Sequence, residues 1–397
     1  MSLLLHTVQQ KAKDIKEEVR ENRRHLHAHP ELSFQEYETS AFVAKKLDDL
    51  GIEQSQVADT GVVGLIKGKN PDKGCIALRA DMDALPIVEA NQVPYASTKP
   101  GVMHACGHDV HTASLLGAAK ILQEVKNEFE GTIKLLFQPG EEKIPGGASL
   151  MIKDGALVNP TPARIVGQHV MPFIPCGQVG FRKGIYMASA DEIYMKVRGK
   201  GGHAAMPDRN IDPVLITSHI LVALQQLVSR HVDPKLPMVL SFGKVMAQGA
   251  TNVIPDVVEV EGTMRTLNET WRFEAHKRII KMAKGIAEGM GGSVDVDIKV
   301  GYPYLENDPL VTATAQLAAY EFMGEENVVD LDIWMAAEDF AFYSHQVPAS
   351  FYRLGTQNIE KGIVSSVHTP TFDIDEEALE TGAGLMAWIA LKQLEAL

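Results

Sequence analysis

Three cysteines in 397 residues, Cys75, Cys106 and Cys176, are too few and too odd in number for a disulfide scaffold. Long apolar runs are missing as well. No stretch approaches the roughly 20 residues that a membrane helix needs. The opening MSLLLHTVQQKAKDIKEEVRENRR has a three-leucine run followed by charge, too short for the apolar region of a signal peptide. Basic residues are in deficit, since 38 Lys and Arg against 51 Asp and Glu leave a net charge of −13. That balance argues against a general nucleic-acid binder, whose affinity for phosphate needs clustered Lys and Arg. Fixed-period repeats and low-complexity tracts are absent too. What is present, 45% hydrophobic and 22% charged residues, is ordinary globular composition. At roughly 150 residues per domain, two or three domains are expected. The expectation at this point is a soluble, cytoplasmic, multi-domain protein with no membrane or nucleic-acid partner.

The first part of the chain alternates helical and strand patterns. A charged amphipathic stretch covers about Val8 to His27, and TSAFVAKKLDDLG closes on Gly51 as a helix C-terminus should. Apolar runs at 62–66, 75–80, 132–138 and 163–170 read as strands, with the helical DVHTASLLGAAKILQEV between two of them. Strands alternating with helices predict an α/β domain whose functional residues gather at strand ends. The middle of the chain reads β-α-β-β-α-β: EIYMKVRG, a helix from about Asp212 to His231, PMVLSFGKV, VVEVEGTMR, ETWRFEAHKRIIKMAKGIAEGM and SVDVDIKV. This is the order of a ferredoxin-like α+β sandwich. The expected organisation is therefore a discontinuous α/β catalytic domain, 1–185 and 300–397, interrupted by an inserted domain at 186–299.

The densest polar cluster is MHACGHDVH, residues 103–111. Cys106 and His108 lie two apart on a Gly-containing turn before a helix, so thiolate and imidazole can address one metal such as Zn²⁺. Alone, the pair reads equally as a buried thiol beside a surface His. Partners strengthen the metal reading. RADMDALP puts Asp81 and Asp83 after one apolar strand, FQPGEE puts Glu141 and Glu142 after another, GQHV puts His169 at the end of a third, and HTPTFDIDE adds His368. Acidic and imidazole groups at several strand ends are what a metal cleft in an open sheet requires. Of the adjacent glutamates, one can ligate while its neighbour acts as general base toward water. The PGGAS loop lacks the Gly-Lys-Ser/Thr ending of a phosphate cradle. In the middle domain, RGKGGHAAMP carries His203, while TNVIP and GTMRT carry Asn252 and Arg265, an amide and a guanidinium suited to gripping a carboxylate. His25 and His29 are four apart, but Pro30 restricts His29 to extended geometry, and this segment reads as structural.

Together, RRHLHAHPELSFQE, RADMDALPI, MHACGHDVH, FQPGEE with GGA, GQHV, GGHAAMPD, TNVIP, EGTMRT, AEDFAFY and HTPTFDIDE span about residues 23 to 375. In this order they resemble the aminoacylase and carboxypeptidase family of di-metal peptidases. The likeness is to its branch of hippurate hydrolases, auxin-conjugate hydrolases and N-acyl-amino-acid deacetylases. The resemblance implies a zinc-peptidase-like catalytic domain with an inserted dimerisation or lid domain, and two divalent ions per subunit (Zn, Mn, Co or Ni). It implies that Cys106 bridges the ions in place of the wider family's aspartate, and that His108, Glu142, His169 and His368 complete the ligands. Glu141 would be the general base and Asp83 would orient a ligand. His203 would reach the partner's site in a homodimer, and Asn252 and Arg265 would hold the substrate's carboxylate. The wider family uses His-x-Asp where this chain has Asp81-Met82-Asp83, which leaves Asp81 without an implied role. Ala337 stands before Glu338-Asp339 where relatives often have Ser.

The function so implied is a metal-dependent amidohydrolase that splits N-acyl-L-amino acids, with N-acetyl or N-benzoyl groups, into an acid and a free amino acid. Two alternatives stand beside it: a carboxypeptidase or dipeptidase with the same site, and a catalytically silent binding protein on the same fold. A third, Cys106 as nucleophile with His108 as base, conflicts with the surrounding carboxylates, which raise a thiol's pKa.

Overall fold

The computed structural model describes residues 3–397. They fall into two compact units: the described residues up to Tyr186 with Glu306–Asp332 and Asp339–Leu397, and Met187–Leu305 with Ile333–Glu338.

The first unit is built on eight strands, β1 (Glu53–Val57), β2 (Gly61–Lys67), β3 (Cys75–Asp81), β4 (Thr132–Gln138), β5 (Arg164–Pro175), β6 (Val179–Phe181), β7 (Val328–Asp330) and β8 (Ala349–Gln357). They form one mixed sheet in the order β1-β2-β4-β3-β5-β8-β6-β7. The central run β4-β3-β5-β8 is parallel, while β2 and β6 join it antiparallel. Every residue of β3 and β4 is buried. A strand shows no polar-out alternation when both of its faces are covered, which explains the continuous apolar runs in the sequence. Helices His108–Glu124 and Ala378–Glu395 supply much of that cover and Lys16–Ala28 packs on both of them, with Val19, Leu115, Leu122, Leu385 and Ile389 in one core. Because β3 and β4 are parallel and end level, Asp81 opposite Gln138, the loops carrying Asp83 and Glu141–Glu142 leave the sheet side by side.

Two local expectations differ from what is found. The stretch expected as one helix from Val8 to His27 is two, Leu3–Asp14 and Lys16–Ala28, parted at buried Ile15, whose backbone (φ −95°, ψ 0°) leaves the helical region. His169 is not at the end of its strand. β8 pairs with β5 from Ile165 as far as Pro175, so the strand runs six residues past His169.

In the second unit, the strands Asp191–Arg198, Met238–Ala247, Val257–Thr266 and Ser293–Val300 make an antiparallel sheet. In that numbering the order is second, third, first, fourth. Helices Pro213–Leu224 and Glu269–Gly289 pack on it, completing β-α-β-β-α-β. Alternation is clear in Asp191–Arg198, where Ile193, Met195 and Val197 are buried and Glu192, Tyr194 and Lys196 are exposed. Buried Asp191 is gripped by Arg272 at 2.5 Å and His276 at 2.7 Å. The helix expected to reach His231 ends at Leu224, and a single π turn, Leu227–His231, follows. Against the expected insert of 186–299, this unit extends to Leu305 and also takes in Ile333–Glu338. A bridge between Met187 and Trp334 and the bond from Ala188 N–H to the Ala336 carbonyl tie that late segment here, a pairing between distant segments that no local pattern announces.

Candidate metal centre

The centre lies in the first unit and starts from the turn before helix His108–Glu124. Gly107 has φ +82°, and a Cβ there would lie 2.5 Å from Val170 Cγ2, so this position accepts neither a left-handed L residue nor its side chain. The turn aims Cys106 and His108 inward, both buried. Cys106 Sγ lies 3.5 Å from His169 Nε2 and 3.3 Å from His368 Nε2. His368 is itself held in the left-handed region (φ +62°), with its N–H on the Ala105 carbonyl, a strained backbone of the kind found at functional sites. Its Nε2 is 3.1 Å from Glu142 Oε1. Two groups of three donors, Cys106 with His108 and His169, and Cys106 with Glu142 and His368, each fall within 4.8 Å and share the Cys106 sulfur.

In His108 and His169 one ring nitrogen is spoken for and the other is directed inward. His108 Nδ1 is 3.1 Å from Asp83 Oδ1, and His169 Nδ1–H donates to the Val170 carbonyl at 2.7 Å. This fixes the tautomer that leaves Nε2 as the ligating atom. His111 is different. Its Nδ1 bonds Asp81 at 2.5 Å and its Nε2 accepts the Val170 N–H at 2.9 Å, so both nitrogens are used within the protein. Asp81 also takes Arg79 at 2.6 Å, and Arg79 reaches on to Gln138 and Asp339, both at 2.8 Å. Asp83 accepts the backbone N–H groups of Glu141 and Glu142, both at 3.0 Å, and the Ser33 hydroxyl at 2.6 Å.

The electrostatics call for cations. Asp81, Asp83, Glu141, Glu142 and Asp339 crowd the site, where Arg79 pairs with Asp81 and Asp339. Burial pushes His108 down, but Asp81, Asp83 and Glu142 override it and lift its pKa to about 10. Burial, with Arg353 and His111 beside it, holds His169 well below its usual value, which keeps the imidazole neutral. Burial, then Glu142 and Glu141, push the Cys106 thiol well up. Without a cation that sulfur stays protonated, the reverse of an activated nucleophile. His108 Nε2 is buried with no hydrogen-bond partner, and Glu142 Oε1, although 3.1 Å from His368 Nε2, makes no aligned hydrogen bond. Buried polar atoms normally find one, and a soft-plus-borderline set of thiolate, imidazole and carboxylate suits Zn²⁺ or a neighbouring divalent ion.

The structure thus brings Cys106, His108, Glu141, Glu142, His169, His368 and Asp83 together. It places His203, Asn252 and Arg265 in the other unit. There His203 sits on a two-residue strand against Val253, with Asn252 next in the chain and the Asn252 carbonyl taking the Ala204 N–H. His203 and Asn252 are exposed, and Arg265 is half-buried on the strand Val257–Thr266. Asp81, without a role from sequence, anchors His111 and Arg79. Those two residues were missed, although His111 lies three after His108 in the same motif and Arg79 two before Asp81 on the same strand face. His25 and His29 stay out of the site: the His29 ring bonds the His25 carbonyl at 2.8 Å and His25 stacks on Phe42.

Comparison with known proteins decides the family. The model of peptidase family M20/M25/M40 matches residues 77–392. The chain belongs to this family. An N-acetyl-L-cysteine deacetylase of Bacillus subtilis is 42% identical over 358 residues, 90% of this chain and 83% of that one. Thermostable carboxypeptidase 2 of Saccharolobus solfataricus is 37% identical over 393 residues, 98% of each. Among solved structures, a dinuclear metal-binding peptidase of the M20 family from Bacillus subtilis superposes with a TM-score of 0.83 at 35% identity, over 97% of this chain and all of that one. This member of the M20/M25/M40 family is accordingly a metallohydrolase.

Proposed function

We propose that the protein hydrolyses N-acyl-L-amino acids to a carboxylic acid and a free amino acid. The observation that carries this reading is the pair of three-donor sets sharing Cys106 Sγ, with Glu141 in the turn beside them. Cys106, His108, Glu142, His169 and His368 would hold two divalent ions, Zn, Mn, Co or Ni. Bound there, such ions supply Lewis acidity, polarising an amide carbonyl and acidifying water. Glu141, 7% exposed, takes the proton from the attacking water and returns it to the departing amine, so one water is consumed and one C–N bond is broken. Asp83 keeps His108 in its ligating tautomer and fixes the backbone of Glu141. Arg265 and Asn252 grip the substrate's carboxylate. The deacetylase relative favours an acyl amino acid, and the carboxypeptidase relative keeps a peptidyl acyl group as the alternative.

The working form in this reading is a homodimer through the inserted unit, with His203 donated to the partner's site. Its support is an apolar outer stripe on helix Pro213–Leu224, with Leu215 51% and Val222 75% exposed. Three free thiols fit a reducing, cytoplasmic setting. Among the described residues no helix is long and apolar enough to cross a membrane. The deciding experiment is hydrolysis of N-acetyl, N-benzoyl and dipeptide substrates by chelated protein, before and after Zn, Mn, Co or Ni is returned. Metal-restored cleavage of an acyl amino acid is expected. Preference for dipeptides would move the protein to the peptidases, silence with two metals bound would mean that the acyl group is misjudged, and silence with no metal bound would overturn the ligand assignment.

A further inference from the structure

The segment Ser33–Glu36 grips the catalytic turn at two points. Three successive backbone N–H groups of that turn end on buried carboxylates. Gly140 donates to Glu36 Oε1 at 2.8 Å, Glu141 to Asp83 Oδ1 at 3.0 Å and Glu142 to Asp83 Oδ2 at 3.0 Å. Glu36 is fully buried and has its other bonds in place: Phe34 N–H reaches Oε1 at 2.9 Å and the Thr60 hydroxyl reaches Oε2 at 2.8 Å. The Ser33 hydroxyl holds Asp83 at 2.6 Å. Phe34, in a left-handed conformation (φ +65°), lies against Gly140 so closely that a Cβ on that glycine would come within 2.2 Å of the ring. The turn is thus held by hydrogen bonds and by the close-packed Phe34 ring.

Two carboxylates buried this near each other are costly, since each disfavours the other's charge. Burial first and Asp83 second raise Glu36 to about 7. A group of this kind survives in a fold where its acceptor geometry is needed, and here its acceptors end on the residue that precedes Glu141. We infer that Glu36 is a positioning residue, its carboxyl fixing the Gly140–Glu142 turn and through it the proton carrier Glu141 and the ligand Glu142. This rests on the proposed roles of those two glutamates.

The test uses the full-length protein with Zn²⁺ returned, assayed on an N-acetyl-L-amino acid, together with Zn²⁺ affinity by chelator competition. A displacement of the order of 1 Å in a reacting group costs about 100-fold in rate. Glu36→Ala is therefore expected to lower kcat by about 30- to 100-fold per folded chain, with KM within about threefold, and to weaken Zn²⁺ binding. Glu36→Gln keeps an acceptor oxygen for Gly140 and Phe34 and is expected to restore both readouts to within about threefold of the parent. The inference is overturned if Glu36→Ala leaves kcat and Zn²⁺ affinity within that range, or if Glu36→Gln fails as badly as Glu36→Ala. Should Glu36→Ala not fold, Thr60→Val, which frees Oε2 alone, is expected to reduce kcat about 3- to 10-fold at constant KM, and an unchanged kcat overturns the inference. Glu141→Gln run in parallel separates the two failures. If that variant keeps its turnover, the base assignment is wrong, and the Zn²⁺ affinity of Glu36→Ala still decides the brace.

Discussion

Glu141 is the residue on which turnover should hang. Its glutamine variant keeps the size and the backbone bond to Asp83 but carries no proton, so turnover should fall by about 10²- to 10⁴-fold with metal content unchanged, read by steady-state kinetics beside metal analysis. Cys106→Ala removes the sulfur common to both donor groups and should lower bound metal below two ions per chain. Glu36 makes a separate prediction about stability. Its folded pKa of about 7 stands above the ordinary 4.5, so its protonated form favours the fold. That contribution is full below about pH 4.5 and is lost as pH rises through 7. Glu36→Gln cannot ionise, so its Tm should exceed the parent's at pH 8, by an amount equivalent to roughly 3 kcal/mol, with the gap narrowing to under about 1 kcal/mol by pH 5. An unchanged gap would show that Glu36 does not titrate there. The side chains that meet around Cys106 were legible in the sequence as candidate donors because Cys106-x-His108, Glu141-Glu142, His169 and His368 stand out as chemistry-bearing residues beside strands. Glu36, Arg79 and Asp339 were not legible. The pairings that place them, Glu36 with Gly140 and Arg79 with Asp339, span 104 and 260 residues, and a carboxylate on an apparent loop looks the same whether solvated or sealed in.

At the scale of elements, the site depends on where helix His108–Glu124 begins. Arg23 on helix Lys16–Ala28 bonds Asp109 in its first turn at 2.7 Å, His27 bonds the same carboxylate at 2.7 Å, and all three are buried. Against the cost of burial, Arg23 and His27 hold the Asp109 carboxyl far below its usual range. Asp109 next to His108 thus ties an N-terminal helix to the ligand turn. Arg23→Met would strand the Asp109 charge and should cost about 3–5 kcal/mol, measurable by denaturant unfolding. Loss of under 1 kcal/mol would mean water or His27 compensates. The elements themselves were largely readable, because buried parallel strands give unbroken apolar runs and Asp191–Arg198 gives clean alternation. The break at Ile15, the extension of β5 to Pro175 and the placing of Ile333–Glu338 depend on pairing between distant segments, which periodicity does not encode.

At the scale of the whole molecule, the concentration of buried carboxylates makes bound cations part of the fold. An ion that binds the folded chain and not the unfolded one stabilises it by about 2.7 kcal/mol at 100 times its dissociation constant. Chelation should therefore lower Tm as well as abolish activity, and one divalent ion should restore both together. The proposed dimer makes a stricter demand. If His203 acts in the partner's site, His203→Ala and Glu141→Gln homodimers are each inactive for different reasons. Unfolded and refolded together, they form mixed dimers in which one site combines an intact Glu141 with an intact His203 from the other subunit. Random pairing gives half the dimers mixed, each with one complete site, so activity should return to about a quarter of the parent's. Sedimentation must show dimers throughout. Leu215→Glu with Val222→Glu, which puts charge on the exposed stripe of helix Pro213–Leu224, should give monomers and abolish the recovery. No recovery from a mixture of true dimers would place His203 outside the partner's chemistry, and full activity in a monomer would remove the dimer from the mechanism.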